Sequence, residues 1–153
     1  MESARIQVVV ERDLDDLLPM VRLYCDFYQV APSDQALQEL SRSLIARPSE
    51  GLQVIARTKD GQPAGFATIF WSWSTLTAKR FGLMNDLFVL EGHRGKGIAD
   101  QLILACGEIC RERGIDSLCW QTATDNLRAQ AVYERVGAVS SRWVDYELKL
   151  DSR

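Results

Sequence analysis

The chain has 153 residues, of which 46% are hydrophobic and 25% are charged, a balance that excludes a disordered or fibrous protein. This length fits one domain, so we expect residues 1–153 to fold as a single unit. The formal net charge of −3 argues against nucleic acid as a partner, because that role favours a basic surface, and it mildly favours cationic small molecules.

Membrane association is not expected from this sequence. The longest uncharged stretch, from Gln62 to Lys79, contains Pro63 and several hydroxyl side chains, which makes it a poor membrane span. The N-terminal residues lack a basic region followed by an apolar run, so no signal peptide is visible. We therefore expect a cytoplasmic protein.

The cysteines and the histidine limit the metal chemistry that the chain offers. No Cys-x-x-Cys pair is present, and Cys106 and Cys110 are expected to be small buried residues of one helix rather than metal ligands. The single histidine, His93, removes most histidine-based metal sites. The sequence predicts no metal site.

The N-terminal third favours one strand followed by two helices. Ile6–Val10 is a β-branched run suited to a strand, and apolar residues at helical spacing predict a helix over Leu14–Tyr28. Asp13 is predicted to cap that helix. A second helix is expected after Pro32–Asp34 and before Pro48.

The rest of the chain favours strands first and then alternating helices and strands. Asp60-Gly61 between two β-rich runs is a strong hairpin signal. The predicted elements are strands over Leu52–Thr58, Ala64–Trp73 and Phe81–Leu90, a helix from Ile98 that stops at Gly114, a strand over Ile115–Thr122, a helix over Asn126–Val136, and a terminal strand or hairpin arm over Val139–Leu150. The order β-α-α-β-β-β-α-β-α-β predicts an α/β fold with a mixed sheet.

A glycine-rich loop between a strand and a helix is the segment that carries chemistry. Residues 92–97 read Gly-His-Arg-Gly-Lys-Gly and lead into the helix that begins at Ile98. The N–H groups of a helix N-terminus, its dipole and small residues together form an anion site, to which Arg94 and Lys96 add positive charge.

Two nucleotide-binding patterns fit this loop poorly. A P-loop requires Gly-Lys-Ser/Thr and a glycine five residues before that Gly-Lys, but Gly97 follows Lys96 and Leu90 stands at the leading position. A dinucleotide fingerprint places its third glycine at Asp100, where a carboxylate opposes close packing of the helix. A plain strand–helix turn that binds nothing is the remaining alternative.

Two segments resemble motifs of the GNAT N-acetyltransferase superfamily. R-x-x-G-x-A at residues 94–99 is similar to the acyl-CoA pyrophosphate loop, and Asp86–Val89 before it looks like the family's central strand. N-x-x-A-x-x-x-Y-x-x-x-G at residues 126–137 is similar to a second family motif. The resemblance implies the GNAT acyl-CoA N-acyltransferase fold and direct transfer of acetyl from acetyl-CoA to an amine.

The resemblance also implies which residues hold acetyl-CoA. The backbone of Phe88 and Val89 would pair with the pantetheine arm, and the Val89 N–H would donate to the thioester oxygen. The implied cofactor-binding residues are Phe88, Val89, Arg94, Gly95, Lys96, Gly97, Ile98, Ala99, Asn126 and Tyr133.

The catalytic roles are partly open. Tyr133 is implied as the general acid for the CoA thiolate, the alternative being a core aromatic residue. Asn126, seven residues earlier, would share its helix face and either bond pantetheine or orient Tyr133. Related enzymes often carry Glu-Asp where this chain has Asn85-Asp86, so Asp86 either acts as a base through water, attracts a cationic amine, or satisfies backbone near a bulge. His93 is expected only beside the phosphates.

The acceptor implied by the resemblance is a primary amine on a small molecule, such as a polyamine, an amino acid or an aminoglycoside-like compound. A protein lysine or N-terminus is one alternative, and a regulatory domain that binds acyl-CoA without transfer is another. Tyr24 and Tyr28 favour core packing, and Trp71 and Trp73, two apart on one strand, form either a cation-holding wall or a cover for the core. A homodimer through Val139–Leu150 is plausible from its strand pattern.

Overall fold

A computed structural model describes residues 3–151 of the chain and shows a mixed α/β architecture. The helices are α1 (Leu14–Phe27), α2 (Asp34–Ala46), α3 (Ile98–Glu112) and α4 (Leu127–Arg135). The strands are β1 (Arg5–Val8), β2 (Gly51–Arg57), β3 (Pro63–Ser74), β4 (Lys79–Val89) and β5 (Leu118–Cys119). Apart from a final strand, the predicted order of elements is confirmed.

The five strands form one sheet in the order β1-β2-β3-β4-β5. The first three pairings are antiparallel, and β4 pairs with β5 in parallel. Because side chains alternate along a strand, the sheet has two apolar faces. One face, with Val54, Ala67 and Met84, packs against α3, and the other, with Ile55 and Phe66, packs against α1 and α2.

Local signals in the sequence account for the ends of several elements. Ser33 caps α2 by accepting a hydrogen bond from the N–H of Ala36 at 3.0 Å. Gly114 follows α3 with a φ of +73°, the left-handed conformation that glycine adopts at helix C-termini. The predicted boundaries of both helices are therefore confirmed to within a few residues.

Asp13 stands at the N-cap position of α1, as predicted, but its side chain does not cap the helix. This carboxylate makes no hydrogen bond to the N-terminus of α1. It is buried, accepts from the N–H of Val10, and forms an ion pair with the Arg57 guanidinium at 2.9 Å. Asp16 takes the other side of that guanidinium at 2.7 Å, so the cluster fastens α1 to β2.

The C-terminal part also departs from the sequence expectation. The strand predicted over Ile115–Thr122 is confined to Leu118–Cys119. Residues 139–150, predicted as a terminal strand or hairpin arm, contain neither helix nor strand, and their large apolar side chains are exposed. The alternation of apolar and polar residues is suited to a strand, but within the described residues it has no strand partner.

Candidate active site

A cavity of about 830 Å³ opens where two neighbouring strands separate. Strand β4 pairs with β5 only at Gly82 and Leu83, yet β4 continues to Val89. The edge of β4 beyond Leu83 therefore faces a cleft instead of a neighbouring strand. Residues from β4, the glycine-rich loop, α3, α4 and the end of α1 line this cleft.

The register of β3 and β4 determines which backbone groups face the cleft. The N–H of Leu90 donates to the carbonyl of Ala64 at 2.8 Å, and the next residue pair is Gly65–Val89. Because hydrogen-bonded and non-bonded pairs alternate between antiparallel strands, the N–H and C=O of Val89 point away from β3, toward the cleft. Those of Phe88 point to Phe66 instead, so the expectation that the Phe88 backbone pairs with pantetheine is wrong. Phe88 contributes its side chain.

The glycine-rich loop supplies N–H groups and space. Gly95 and Gly97 have φ values of +76° and +81°, a left-handed conformation that other residues adopt only with strain. No atom lies within 4 Å of a side-chain carbon placed on Gly95, so a ligand has room above this glycine. Ile98 and Ala99 begin α3, where backbone N–H groups have no partner inside the helix. This loop therefore has the geometry for which the sequence predicts an anion site.

Arg94 lies between the loop and the end of β4. Its Nε donates to the carbonyl of Val89 at 3.0 Å, and its guanidinium carbon lies 5.8 Å from the centre of the Phe88 ring. The remaining guanidinium N–H groups carry the charge at the mouth of the cavity. Arg94 thus orients the Val89 peptide as well as contributing charge to the anion site.

Asp86 lies at the floor of the cavity, beside the register shift between β3 and β4. The cleft reaches this residue, but its Oδ1 atom is buried and has no hydrogen-bond partner. Burial raises the pKa of Asp86 to about 6, and hydrogen bonding from Thr68 and Asn85 limits that rise. A carboxylate with this pKa is ionised at pH 7 and accepts a proton more readily than a surface aspartate does.

Tyr133 lines the opposite wall of the same cavity, on α4. Its ring packs edge-on against Trp120, with 5.3 Å between the ring centres. Partial burial raises the pKa of its hydroxyl, which hydrogen bonding with Thr122 partly offsets. Tyr133 therefore carries its proton at neutral pH.

Asn126 does not share a helix face with Tyr133, contrary to the sequence expectation. It is the N-cap of α4, and its Oδ1 accepts from the N–H of Ala129 at 3.1 Å. The motif spacing places Asn126 one residue outside the helix, where a short polar side chain replaces a missing backbone partner. Asn126 lines the cavity and fixes the start of α4.

Aromatic side chains from α1 form a third wall. Tyr24, Phe27 and Tyr28 line the cavity, with 5.0 Å between the rings of Tyr24 and Tyr28. Tyr28 and Phe27 are largely exposed, so core packing does not explain them. Of the two alternatives for Trp71 and Trp73, the cover for the core is confirmed for Trp71, which is buried there, whereas Trp73 is exposed; neither lines this cavity.

An ion pair that the sequence did not reveal joins two walls of the cavity. The carboxylate of Asp100, in the first turn of α3, accepts two hydrogen bonds of 2.8 Å from the guanidinium of Arg135 on α4. In the sequence, Asp100 is informative only because it stands where a dinucleotide fingerprint has its third glycine. An acidic residue in the first turn of α3 can be recognised in the sequence, but no local pattern identifies its ion-pair partner 35 residues later.

A family model described as the acetyltransferase (GNAT) family matches residues 17–138. The chain belongs to this family and is an N-acetyltransferase. The match covers all four helices except the first residues of α1, and strands β2 to β5. The family uses acetyl-CoA as acyl donor, so the resemblance drawn from residues 94–99 and 126–137 is confirmed.

Individual relatives are distant but cover most of the chain. An uncharacterised N-acetyltransferase of Bacillus subtilis is 28% identical over 82% of this chain and 83% of its own length. Thialysine N-epsilon-acetyltransferase of Mus musculus is 24% identical over 97% of this chain and 94% of its own. A crystal structure of a probable acetyltransferase superposes with a TM-score of 0.85 at 26% identity, covering 97% of this chain and 99% of the other.

The described residues contain neither a helix suited to a membrane nor a cluster suited to a metal ion. None of the helices within residues 3–151 is long and apolar enough to cross a membrane. No group of three or more His, Cys, Asp or Glu side chains in that part of the chain is arranged to hold a metal ion.

Proposed function

We propose that the enzyme transfers an acetyl group directly from acetyl-CoA to a primary amine on a small molecule. The observation that carries this proposal is the meeting of three groups in one cavity: the Asp86 carboxylate, the Val89 N–H and the Tyr133 hydroxyl. They supply a base, a donor to a developing oxyanion, and an acid. No cysteine lines this cavity, which favours direct transfer over an acyl-cysteine route.

Asp86 is the proposed base. An amine acceptor arrives mainly as the ammonium ion, which must lose a proton before its nitrogen attacks. The Asp86 carboxylate accepts that proton, directly or through a water, because its raised pKa makes it a stronger base than an exposed aspartate. Its negative charge at the floor of the cavity also attracts the cationic acceptor.

Val89 and Tyr133 act on the other bonds that change. Acetyl-CoA supplies the electrophilic thioester carbon. The Val89 N–H donates to the thioester oxygen while negative charge develops there. Tyr133 donates its hydroxyl proton to the departing sulfur, so the proton that Asp86 takes from the amine is balanced by one that the enzyme gives to the thiolate.

The anion site is the proposed seat of the CoA pyrophosphate. Gly95, Lys96, Gly97, Ile98 and Ala99 would surround the diphosphate with backbone N–H groups at the N-terminus of α3. The open space above Gly95 fits such a group. Asn126, across the cavity, would face the pantetheine arm.

The aromatic wall supports a small cationic acceptor. Tyr24, Phe27 and Tyr28 present ring faces and edges to a cavity with one buried carboxylate, an arrangement suited to an ammonium ion. The name of the mouse relative, a thialysine N-epsilon-acetyltransferase, supports an amino-acid-like acceptor. A protein lysine is the alternative acceptor, and it would need the same carboxylate but a wider approach.

Two measurements test this proposal in sequence. Thermal unfolding with acetyl-CoA at about 100 times its Kd should show roughly 2.7 kcal/mol of added stability, whereas NAD should add none. Thiol release should then be measured with a polyamine, lysine, thialysine, an aminoglycoside and a lysine-containing peptide. Turnover of a small amine supports the proposal, and turnover of the peptide alone would replace the acceptor class. Binding of acetyl-CoA with no thiol release on any amine would contradict catalysis.

We also propose that the enzyme is a homodimer joined through residues 139–151. Tyr146, Leu148 and Leu150 alternate with polar residues in this segment and are each more than four-fifths exposed. A half-apolar extended segment of this kind gains most by pairing with another chain. Leu148→Asp should convert the dimer to monomer in sedimentation equilibrium, whereas Leu76→Asp, in the exposed β3–β4 turn, should leave it unchanged. A monomeric parent protein would contradict the proposal.

We place the enzyme, as one domain spanning residues 1–153, in the cytoplasm. All four cysteines are free thiols, and three of them, Cys25, Cys106 and Cys110, lie in the core. Free thiols are typical of a reducing compartment. Fractionation of cells that express the natural gene tests this assignment.

A further inference from the structure

Three polar side chains form a continuous row across the middle of the sheet. Gln53 on β2 lies opposite Thr68 on β3, and Thr68 lies opposite Asp86 on β4. All three face α1 and α2, since they alternate with the residues that face α3. We call Gln53, Thr68 and Asp86 the polar row.

Burial makes the polar row costly unless its members bond to one another. Gln53 is 4% exposed and Thr68 is 1% exposed, and the next row of the same face consists of Ile55, Phe66 and Phe88. An apolar pair in place of Gln53 and Thr68 would pack as well and leave no buried polar group to satisfy. Packing therefore does not explain these two residues.

The hydrogen bonds within the polar row have a direction. The amide Nε2 of Gln53 donates to the Thr68 hydroxyl oxygen at 3.1 Å. A hydroxyl group has one proton, and when its oxygen accepts from an amide, that proton remains available to a second acceptor. The second neighbour of Thr68 in the row is the Asp86 carboxylate, which accepts hydrogen bonds without donating when it is ionised.

We propose that Gln53 and Thr68 are positioning residues that hold Asp86 in place and keep its carboxylate ionised. This inference rests on the proposed function only for its kinetic consequence. Gln53 orients the Thr68 hydroxyl, and Thr68 donates to the carboxylate from behind, which leaves the cavity side of Asp86 open to the acceptor amine.

The other titratable groups that interact with Asp86, from either side of the sheet, do not supply this effect. They are the Tyr24 hydroxyl of α1 and the Cys106 thiol of α3. Burial raises the pKa of both, that of Cys106 to about 12, so both are neutral at pH 7. No charged side chain of the described residues offsets the burial of Asp86, which leaves hydrogen bonding from Thr68 and Asn85 as the stabilising contribution.

Thr68→Val tests the proposal because valine keeps the shape and removes the hydroxyl. The readout is the ¹³C shift of the Asp86 carboxyl carbon in protein without acetyl-CoA, identified by its absence from Asp86→Asn. We expect the pKa of Asp86 to rise by about one pH unit, as loss of a hydrogen bond to a charged group requires. Thr68→Ser should restore the parent value. Ser41→Ala removes a buried hydroxyl that bonds to no member of the row and should leave that pKa unchanged.

Kinetics add an independent reading. If the pKa rises from about 6 to about 7, kcat/KM of Thr68→Val should be about threefold lower at pH 6.5 and nearly equal to the parent value at pH 8.5. Recovery at high pH distinguishes this effect from structural damage. The double variant Gln53→Met with Thr68→Val, which leaves no unpaired amide, provides a well-packed second case and should show the same rise.

The two readouts separate the inference from the proposed function. An Asp86 that titrates identically in the parent, Thr68→Val and the double variant would overturn the inference. A rise in the pKa of Asp86 without a change in the pH profile would support the polar row and remove Asp86 from the role of base. The carboxyl titration needs no turnover, so it decides the inference even if no acceptor amine is found.

Discussion

Helix α3 buries five apolar side chains in the core of the sheet, whereas α4, across the cavity, has no fully buried side chain. Strand β4 with Asp86, the glycine-rich loop and α3 form the first wall of the cavity, and α4 with Tyr133 forms the second wall. The base and the anion site therefore share the stability of the core, while the acid depends on the Trp120 ring and the Arg135 ion pair. Elements with few buried contacts open at low free-energy cost. The first wall therefore determines the protonation of Asp86, and the second wall determines how often the Tyr133 hydroxyl is in place.

The largest effect should come from removing the base. Asp86→Asn should lower kcat/KM by about 10²–10⁴, the usual contribution of general acid–base catalysis, while the anion site continues to bind acetyl-CoA. Asp60→Asn, in the exposed β2–β3 turn, is the matched control and should retain parental activity. Activity within twofold of the parent in Asp86→Asn would remove this residue from the reaction.

Removing the acid should cost less, because water can reach the more open wall. Tyr133→Phe should lower kcat by about 10²-fold and leave the Kd for acetyl-CoA within about twofold, since the ring and its contact with Trp120 remain. Isothermal titration and stopped assays of thiol release measure the two quantities. Full turnover in this variant would mean that Tyr133 is an aromatic wall residue only.

The buried carboxylate of Asp86 should also lower the free energy of unfolding at neutral pH. The pKa of Asp86 is raised from an ordinary value of 3.8 to about 6, so the native state holds this proton more tightly than the unfolded chain. The contribution of Asp86 to the free energy of unfolding is fully present below pH 3.8 and is lost as the pH rises through about 6. Above that range the loss approaches about 3 kcal/mol.

Asp86→Asn should therefore be more stable than the parent at pH 8 by up to about 3 kcal/mol, and the gain should shrink as the pH falls below 6. Urea unfolding at a series of pH values measures it. A gain that does not depend on pH would point to packing rather than to the buried charge.

The first wall was also the part that the sequence predicted well. Asp60-Gly61 marks the hairpin, and a turn centred there places Gln53 opposite Thr68. This pairing within the polar row could therefore be predicted from the sequence pattern alone. Gly95 and Gly97 identify the candidate anion site in the sequence, because the conformation of this loop depends on the glycines themselves. These features depend on residues close together in the chain.

The second wall was predicted poorly because its contacts are distant or shared. Arg135 reaches Asp100 across 35 residues, and no local pattern specifies that pairing. Asn126 matched a motif by spacing, but its position one residue before α4 makes it a cap. The alternating pattern of residues 139–151 indicates a strand without indicating its partner, so the predicted strand is missing from the described chain.

The smallest predicted effect tests the anchoring of α4 itself. Arg135→Lys keeps the charge but cannot make both 2.8 Å hydrogen bonds to Asp100. Because Arg135 is 59% exposed, solvent screens the pair, so it should stabilise the fold only slightly, and we expect kcat to fall by a few fold at most. Arg111→Lys, which alters an exposed ion pair within α3, is the matched control and should change neither quantity.

Hydrogen exchange gives the sharper reading of this variant. If the Asp100–Arg135 pair holds the acid wall, amides of α4 should exchange faster in Arg135→Lys while those of α3 keep their parental rates, because α3 is anchored by its buried side chains. If α4 exchanges at its parental rates in this variant and kcat is unchanged, the ion pair does not hold α4, which leaves the Trp120–Tyr133 contact and the packing of Val132 and Val136 against the core. The position of the acid would then depend on those contacts and not on charge.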